Sequence, residues 1–114
     1  MSECLFCSIL GGKVKGEVVY QDERVVAIKD INPQAPLHLL MMPRKHIATV
    51  LELTEEDKDL VGHIFLVARW LAEAQGIAKD GFRVVVNCGP AAGQSIYHIH
   101  FHLLGGRPLR WPPG

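Results

Sequence analysis

The stretch Gln94-Ser95-Ile96-Tyr97-His98-Ile99-His100-Phe101-His102-Leu103-Leu104 alternates three histidines with apolar residues. In an extended strand successive side chains point to opposite faces, so His98, His100 and His102 share one face and Ile99, Phe101 and Leu103 the other. A helix would scatter the same histidines at about 100° per residue, a spacing with no chemical sense. The stretch therefore predicts a strand with an apolar face toward a core and an imidazole face toward something polar.

Three imidazoles in a row need partners, because burying a polar ring without one costs roughly 1 to 3 kcal/mol. Backbone carbonyls and water are one answer, a metal ion a second. The third is a ring that attacks an electrophile while its neighbours hold an anion. Just upstream, Asn87-Cys88-Gly89-Pro90-Ala91-Ala92-Gly93-Gln94-Ser95 is turn-rich, with glycines that allow close backbone approach and then amide and hydroxyl side chains. Those are neutral hydrogen-bond donors suited to phosphate oxygens rather than the carboxylates or thiolates a catalytic metal prefers. The nucleophile reading gains.

Working outward, Phe82 to Cys88 reads as the preceding strand, joined to the histidine strand as a hairpin by the short Gly-rich loop, with Asn87 ending beside the histidines. Cys88 points to the opposite face as a small buried hydrophobe. Thr54-Glu55-Glu56-Asp57 is a helix start, a capping hydroxyl followed by acidic groups in the first turn. Leu60, Ile64, Val67, Ala68 and Leu71 then recur at steps of three and four up to Gly76, which suits a glycine cap. His63 and Trp70 on that helix receive no role.

Earlier in the chain, Cys4 to Leu10 predicts a short helix stopped by Gly11-Gly12. Val18–Tyr20 and Val25–Ile28 predict a hairpin, and Leu37–Met42 a strand bounded by Pro36 and Pro43. Asp30 falls at a strand end ahead of Asn32-Pro33, where an acidic side chain can bond its own backbone. The tail 105–114 holds three prolines and Trp111 and should be extended.

The chain has 114 residues, 48% of them hydrophobic and 21% charged, which predicts one domain over 1–114 burying roughly two thirds of its unfolded surface. Its formal charge of +0 favours a small ligand over nucleic acid or an anionic membrane. Met1-Ser2-Glu3-Cys4 lacks a basic segment followed by an apolar run, and no stretch approaches the roughly 20 apolar residues of a membrane span. With three cysteines the composition fits a cytoplasmic protein with thiols or metal ligands rather than a disulfide framework.

His98-Ile99-His100-Phe101-His102-Leu103-Leu104 matches the His-x-His-x-His-x-x signature of the histidine triad (HIT) superfamily. With Asp30-Ile31-Asn32-Pro33-Gln34-Ala35-Pro36, Gly93-Gln94-Ser95, Gly105-Gly106-Arg107 and Trp111-Pro112-Pro113-Gly114, the chain resembles, over nearly its whole length, the branch of histidine triad nucleotide-binding proteins. The resemblance implies a dimer-forming α+β fold, a mainly antiparallel sheet packed against one long helix. It implies Asp30 at the ribose hydroxyls, Ile31 on the base, Gly93 and its neighbours at the phosphate, His38 bracing the triad, Ser95 near the leaving group, and Trp111 reaching the partner's site.

The middle ring, His100, has a histidine on either side and is the candidate nucleophile, needing no separate base because much of an imidazole is neutral near pH 7. His102, Asn87, Gln94 and Ser95 would hold the nonbridging oxygens. The implied reaction is hydrolysis of purine nucleoside phosphoramidates to the 5′-monophosphate through a nucleotidyl-histidine. The rivals are a nucleotide-binding regulatory module with incidental turnover and a metallohydrolase using all three histidines. Cys4-x-x-Cys7 is half of a zinc site. Some relatives complete such a site with residues corresponding to His46 and His98. Others lack the cysteines, so zinc would be structural and no cofactor would be required for catalysis.

Overall fold

The computed structural model describes residues 4–114, so the N-terminal reading of Met1-Ser2-Glu3 lies outside the described residues. Helix α1 (Leu5–Leu10) is followed by strands β1 (Val18–Gln21), β2 (Val25–Lys29) and β3 (Leu37–Pro43). Two single 3-10 turns lead into the long helix α2 (Lys58–Ala74), and β4 (Phe82–Val86) and β5 (Phe101–Gly105) complete the chain's regular elements. The strands form an antiparallel sheet in the order β1-β2-β3-β5-β4. The α+β fold expected from the sequence is thus the observed one.

The β3 run Leu39-Leu40-Met41-Met42 is apolar without alternation because this strand is covered on both faces. Leu39 and Met41 join Ile64, Val67, Ala68 and Leu71 of α2, with Phe101 and Leu103 of β5. Leu40 and Met42 face the other way, with Val26 and Ile28, against Phe6 of α1. His102 pairs with Leu40 on β3 and Val85 on β4, so the histidine row lies on the α1 side of the sheet.

The capping residues predicted for the helix start cap a 3-10 turn, Glu55–Asp57, that runs directly into α2. Asp57 accepts from the Thr54 backbone N–H at 3.0 Å and Thr54 Oγ1 accepts from Glu56 N at 3.3 Å, closing a capping box. At the far end Gly76 takes φ +79°, and Ile77 N returns to Ala72 O at 3.0 Å. Gly105 lets β5 meet that helix end, since a Cβ there would lie 2.5 Å from Ile77 Cδ1.

Three local expectations need correction. The connection between β4 and β5 is not a tight hairpin: it runs from Asn87 to His100 through a 3-10 turn at Pro90–Ala92 and a left-handed Gly93. Strand β5 begins only at Phe101, so His98 and His100 precede the ladder although the in-out alternation continues through them. The cause is Ile99 N, which donates to Ile47 O in the loop after β3 at 2.6 Å instead of to a neighbouring strand. Cys88, beyond the end of β4, is half-buried rather than enclosed.

Candidate functional site

Each ring of the histidine row has one nitrogen engaged by the protein, and that partner fixes what the other nitrogen can do. His100 Nδ1 lies 2.8 Å from the carbonyl oxygen of His98. A carbonyl only accepts, so the His100 proton sits on Nδ1 and Nε2 keeps its lone pair. His38 Nδ1 accepts from Gln34 N at 3.0 Å, which places the His38 proton on Nε2. That N–H points at His102 Nδ1, 2.9 Å away, with Asp30 Oδ2 at 3.3 Å. His102 Nδ1 is therefore an acceptor, and its own proton is carried outward on Nε2. A lone pair on His100 and an N–H on His102 thus stand side by side, their ring centroids 5.2 Å apart.

Burial favours the neutral form of all these rings. It lowers the pKa of His100 against the opposing pull of the His98 carbonyl and the Asp30 charge. It lowers His38 likewise, against Asp30. His102 falls furthest, to about 4, because burial is reinforced by His100 and His38. Near neutral pH the pair is uncharged, the state a nucleophilic imidazole needs.

His98 takes the other part. It is fully buried, and its Nε2–H donates to Pro43 O at 2.7 Å, leaving the Nδ1 lone pair facing Cys4 and Cys7 Sγ at 3.5 Å each. His46 Nδ1 lies 3.1 Å from His98 Nδ1 and 3.3 Å from Cys7 Sγ. Zinc bonds of about 2.0 to 2.3 Å at tetrahedral angles would separate such ligand atoms by about 3.3 to 3.8 Å. Two thiols and two imidazole nitrogens converging at this spacing fit a structural zinc ion. Burial, then the neighbouring Cys4, pushes the Cys7 thiol up, and a bound cation would draw it down again. Three rings acting as ligands to one ion do not fit, since His98 and His100 direct their free nitrogens to different places.

The remaining predicted residues are distributed as follows. Asp30 closes the turn after β2, accepting from Asn32 N at 2.8 Å, and Ile31 beside it is fully exposed. Asn87 directly follows Val86, whose ladder partner is Phe101, the residue after His100. Gly93 and Ser95 are exposed on the rim of the loop. Gln94 is turned inward: its side chain accepts from Gly89 N and donates to Ala48 O and Ile96 O. That amide braces the loop and has no free donor for a phosphate, contrary to the expectation. Trp111 is 82% exposed on a tail tied to β4 by Arg83, which donates to Arg110 O at 3.0 Å.

Two side-chain arrangements escaped the sequence, one at the site and one outside it. Phe6 stands edge-on to His100, with ring centroids 4.8 Å apart. His63 donates to Asp22 Oδ2 at 2.6 Å, an oxygen that Tyr20 OH also reaches at 2.6 Å. The Cys4-x-x-Cys7 spacing carried a signal for Phe6; Asp22 and His63 are too far apart in the chain to have given one.

Residues 3–108 match the family model described as scavenger mRNA decapping enzyme C-term binding. A HIT-like protein of Synechococcus elongatus is 45% identical over the full length of both chains. A 14 kDa zinc-binding protein of Zea mays is 47% identical over 99% of this chain and 89% of its own. Among solved structures, a HIT family hydrolase from Legionella pneumophila superposes with a TM-score of 0.97 at 47% identity, covering 98% of this chain and all of the other.

Proposed function

The chain belongs to the histidine triad superfamily, and from that membership we propose that it is a purine nucleoside phosphoramidase of the nucleotide-binding branch. The observation that carries the proposal is the complementary pair: a lone pair on His100 Nε2 left unengaged by the protein, fixed by the His98 carbonyl, beside an N–H on His102 Nε2 fixed by His38. His100 Nε2 attacks the α-phosphorus of a nucleoside 5′-phosphoramidate. A phosphorus–nitrogen bond to the ring forms as the bond to the amine breaks, and the amine departs with a proton drawn from solvent through the Ser95 hydroxyl. Water then attacks the nucleotidyl-histidine, releasing the 5′-monophosphate and restoring the ring.

In this reading His102 and Asn87 steady the nonbridging oxygens, with the loop at Gly93 and Ser95 shaped by Gln94. Asp30 receives the ribose hydroxyls and Ile31 covers the base. Zinc held by Cys4, Cys7, His46 and His98 serves the scaffold and takes no part in the bond-making steps. The chain acts as a single domain in the cytoplasm, where its thiols stay reduced. It pairs as a homodimer through the edge strand β4, whose exposed Phe82 and Val86 continue an apolar surface with Phe65 and Leu66 of α2. Trp111 reaches the partner's site from the extended tail.

The test is release of monophosphate from adenosine 5′-phosphoramidate by the native protein and by His100→Ala, with nucleotide binding measured for both. Turnover by the native chain and binding without turnover by the variant support the proposal. Binding by both with turnover by neither would make the chain a nucleotide-binding regulatory module.

A further inference from the structure

The four-residue cluster and the His100–His102 pair are joined by one side chain. Cys4 caps α1, its Sγ accepting from Cys7 N at 3.4 Å, so the two cysteines bracket Phe6 on the first turn. Phe6 is 2% exposed and is lodged among Val26, Ile28, Leu40 and Met42. Its ring meets His100 edge-on at 82° and 4.8 Å, and His98 at 81° and 6.0 Å. The hydrogen bond to the His98 carbonyl fixes one atom of the His100 ring but leaves the ring free to swing about that atom. A second contact is needed to set its plane, and Phe6 supplies one. His98 is both a member of the cluster, through Nδ1, and the acceptor for His100, through its backbone oxygen.

We propose that Phe6 is a positioning residue for His100, held in place by the Cys4, Cys7, His46 and His98 cluster, so that metal held there sets the ring of the nucleophile without taking part in the reaction. This rests on the reading of His100 as the nucleophile. It gives the cluster a consequence beyond stability: whatever loosens Cys4 or Cys7 frees the Phe6 ring, and whatever shifts His98 shifts the carbonyl that selects the His100 tautomer. Misplacing a reacting group by a fraction of a bond length lowers turnover more than binding.

The experiment uses the zinc-loaded full chain, and compares it with the same protein stripped of zinc under reducing conditions, with Phe6→Leu, and with Ile9→Ala as a control in the same helix. Ring-nitrogen NMR reads the His100 tautomer without substrate, and zinc content and kinetics are measured alongside. Leucine keeps the helix and most of the volume but has no ring. Expected are a single Nδ1–H tautomer and one narrow set of His100 ring signals in the native protein and Ile9→Ala, the same tautomer with broadened ring signals in Phe6→Leu, where the ring swings about its bonded atom, and a tautomer mixture in the zinc-free chain. Phe6→Leu should keep its zinc and lose on the order of 10- to 100-fold in kcat while KM stays within about twofold.

A folded Phe6→Leu protein with zinc bound, narrow His100 ring signals and native kcat overturns the proposal, as does a folded zinc-free chain with the native tautomer. Should the zinc-free chain unfold, zinc-loaded Phe6→Leu decides. A native chain without phosphoramidase turnover would defeat the functional reading alone, because the tautomer is read without substrate.

Discussion

His98 and His100 are separated by a single residue, use the same device, and come out chemically opposite. Each donates one ring proton to a backbone carbonyl, His98 from Nε2 to Pro43 and His100 from Nδ1 to His98 itself. The first leaves its lone pair pointing at two thiols, the second leaves it with no protein partner. Which nitrogen the carbonyl engages decides where an imidazole presents its lone pair; residue type and burial alone do not.

The sharpest way to break this contrast is to truncate each ring in turn. His100→Ala should lower phosphoramidate turnover on the order of 10⁴-fold or more, since loss of a nucleophile removes the covalent route. Its midpoint in urea should stay near native, and steady-state kinetics with a denaturation curve check both. His98→Ala should invert the pattern. Removing a fully buried ring leaves a cavity and an unpaired Pro43 carbonyl, costing about 2 to 4 kcal/mol, and bound zinc falls to a small fraction of native by metal analysis. A His98→Ala protein of native stability would show that the pocket is not a structural centre.

A smaller effect is expected one ring further along. His38→Leu removes the donor that fixes His102, so His102 can place its proton on Nδ1 and present a bare Nε2 to the substrate. Turnover should fall about 10²-fold, as when a single preorganised donor is lost, with nucleotide affinity changed less. Comparing kcat with KM checks it.

The contrast between His98 and His100 was only half legible in the sequence. Period-two alternation sufficed to put Ile99, Phe101 and Leu103 in the core and the histidines opposite, and the steps of three and four along α2 sufficed for its buried face. The carbonyl of Pro43 and the backbone N–H of Gln34 that choose the tautomers carry no signal in residue identity, because every residue has the same backbone groups. Gln94 misled for a related reason: an amide beside glycines suits a phosphate and suits bracing a loop, and only the positions of Gly89, Ala48 and Ile96 separate the two. Phe6 stood out no more than the other apolar residues of Cys4 to Leu10, because periodicity reports burial and not which ring lies across the contact.

His63 lies outside the row and extends the comparison, since its partner is a carboxylate rather than a carbonyl. Burial pushes the Asp22 carboxyl up, but donation from Tyr20, Arg24 N, His63 and Val25 N outweighs it and holds the group well below the usual carboxylate range. A depressed pKa stabilises the folded state above the unfolded value of about 3.9, and the contribution is lost as pH falls toward the folded value. Tyr20 has the opposite sign. Its hydrogen bond to Asp22, then burial, pushes it up to about 12, so its contribution is complete below the unfolded value of about 10 and is lost as pH rises toward about 12. Tyr20→Phe should therefore cost about 1 kcal/mol or less near neutral pH, the group being partly exposed and screened by water, and the variant should lose less stability than the native chain between about pH 10 and 12. Asp22→Asn should flatten the acid limb below about pH 4 in the same way. Urea midpoints across both ranges test this, and an acid limb unchanged in Asp22→Asn would mean that the carboxylate partner of His63 contributes nothing that a neutral acceptor would not.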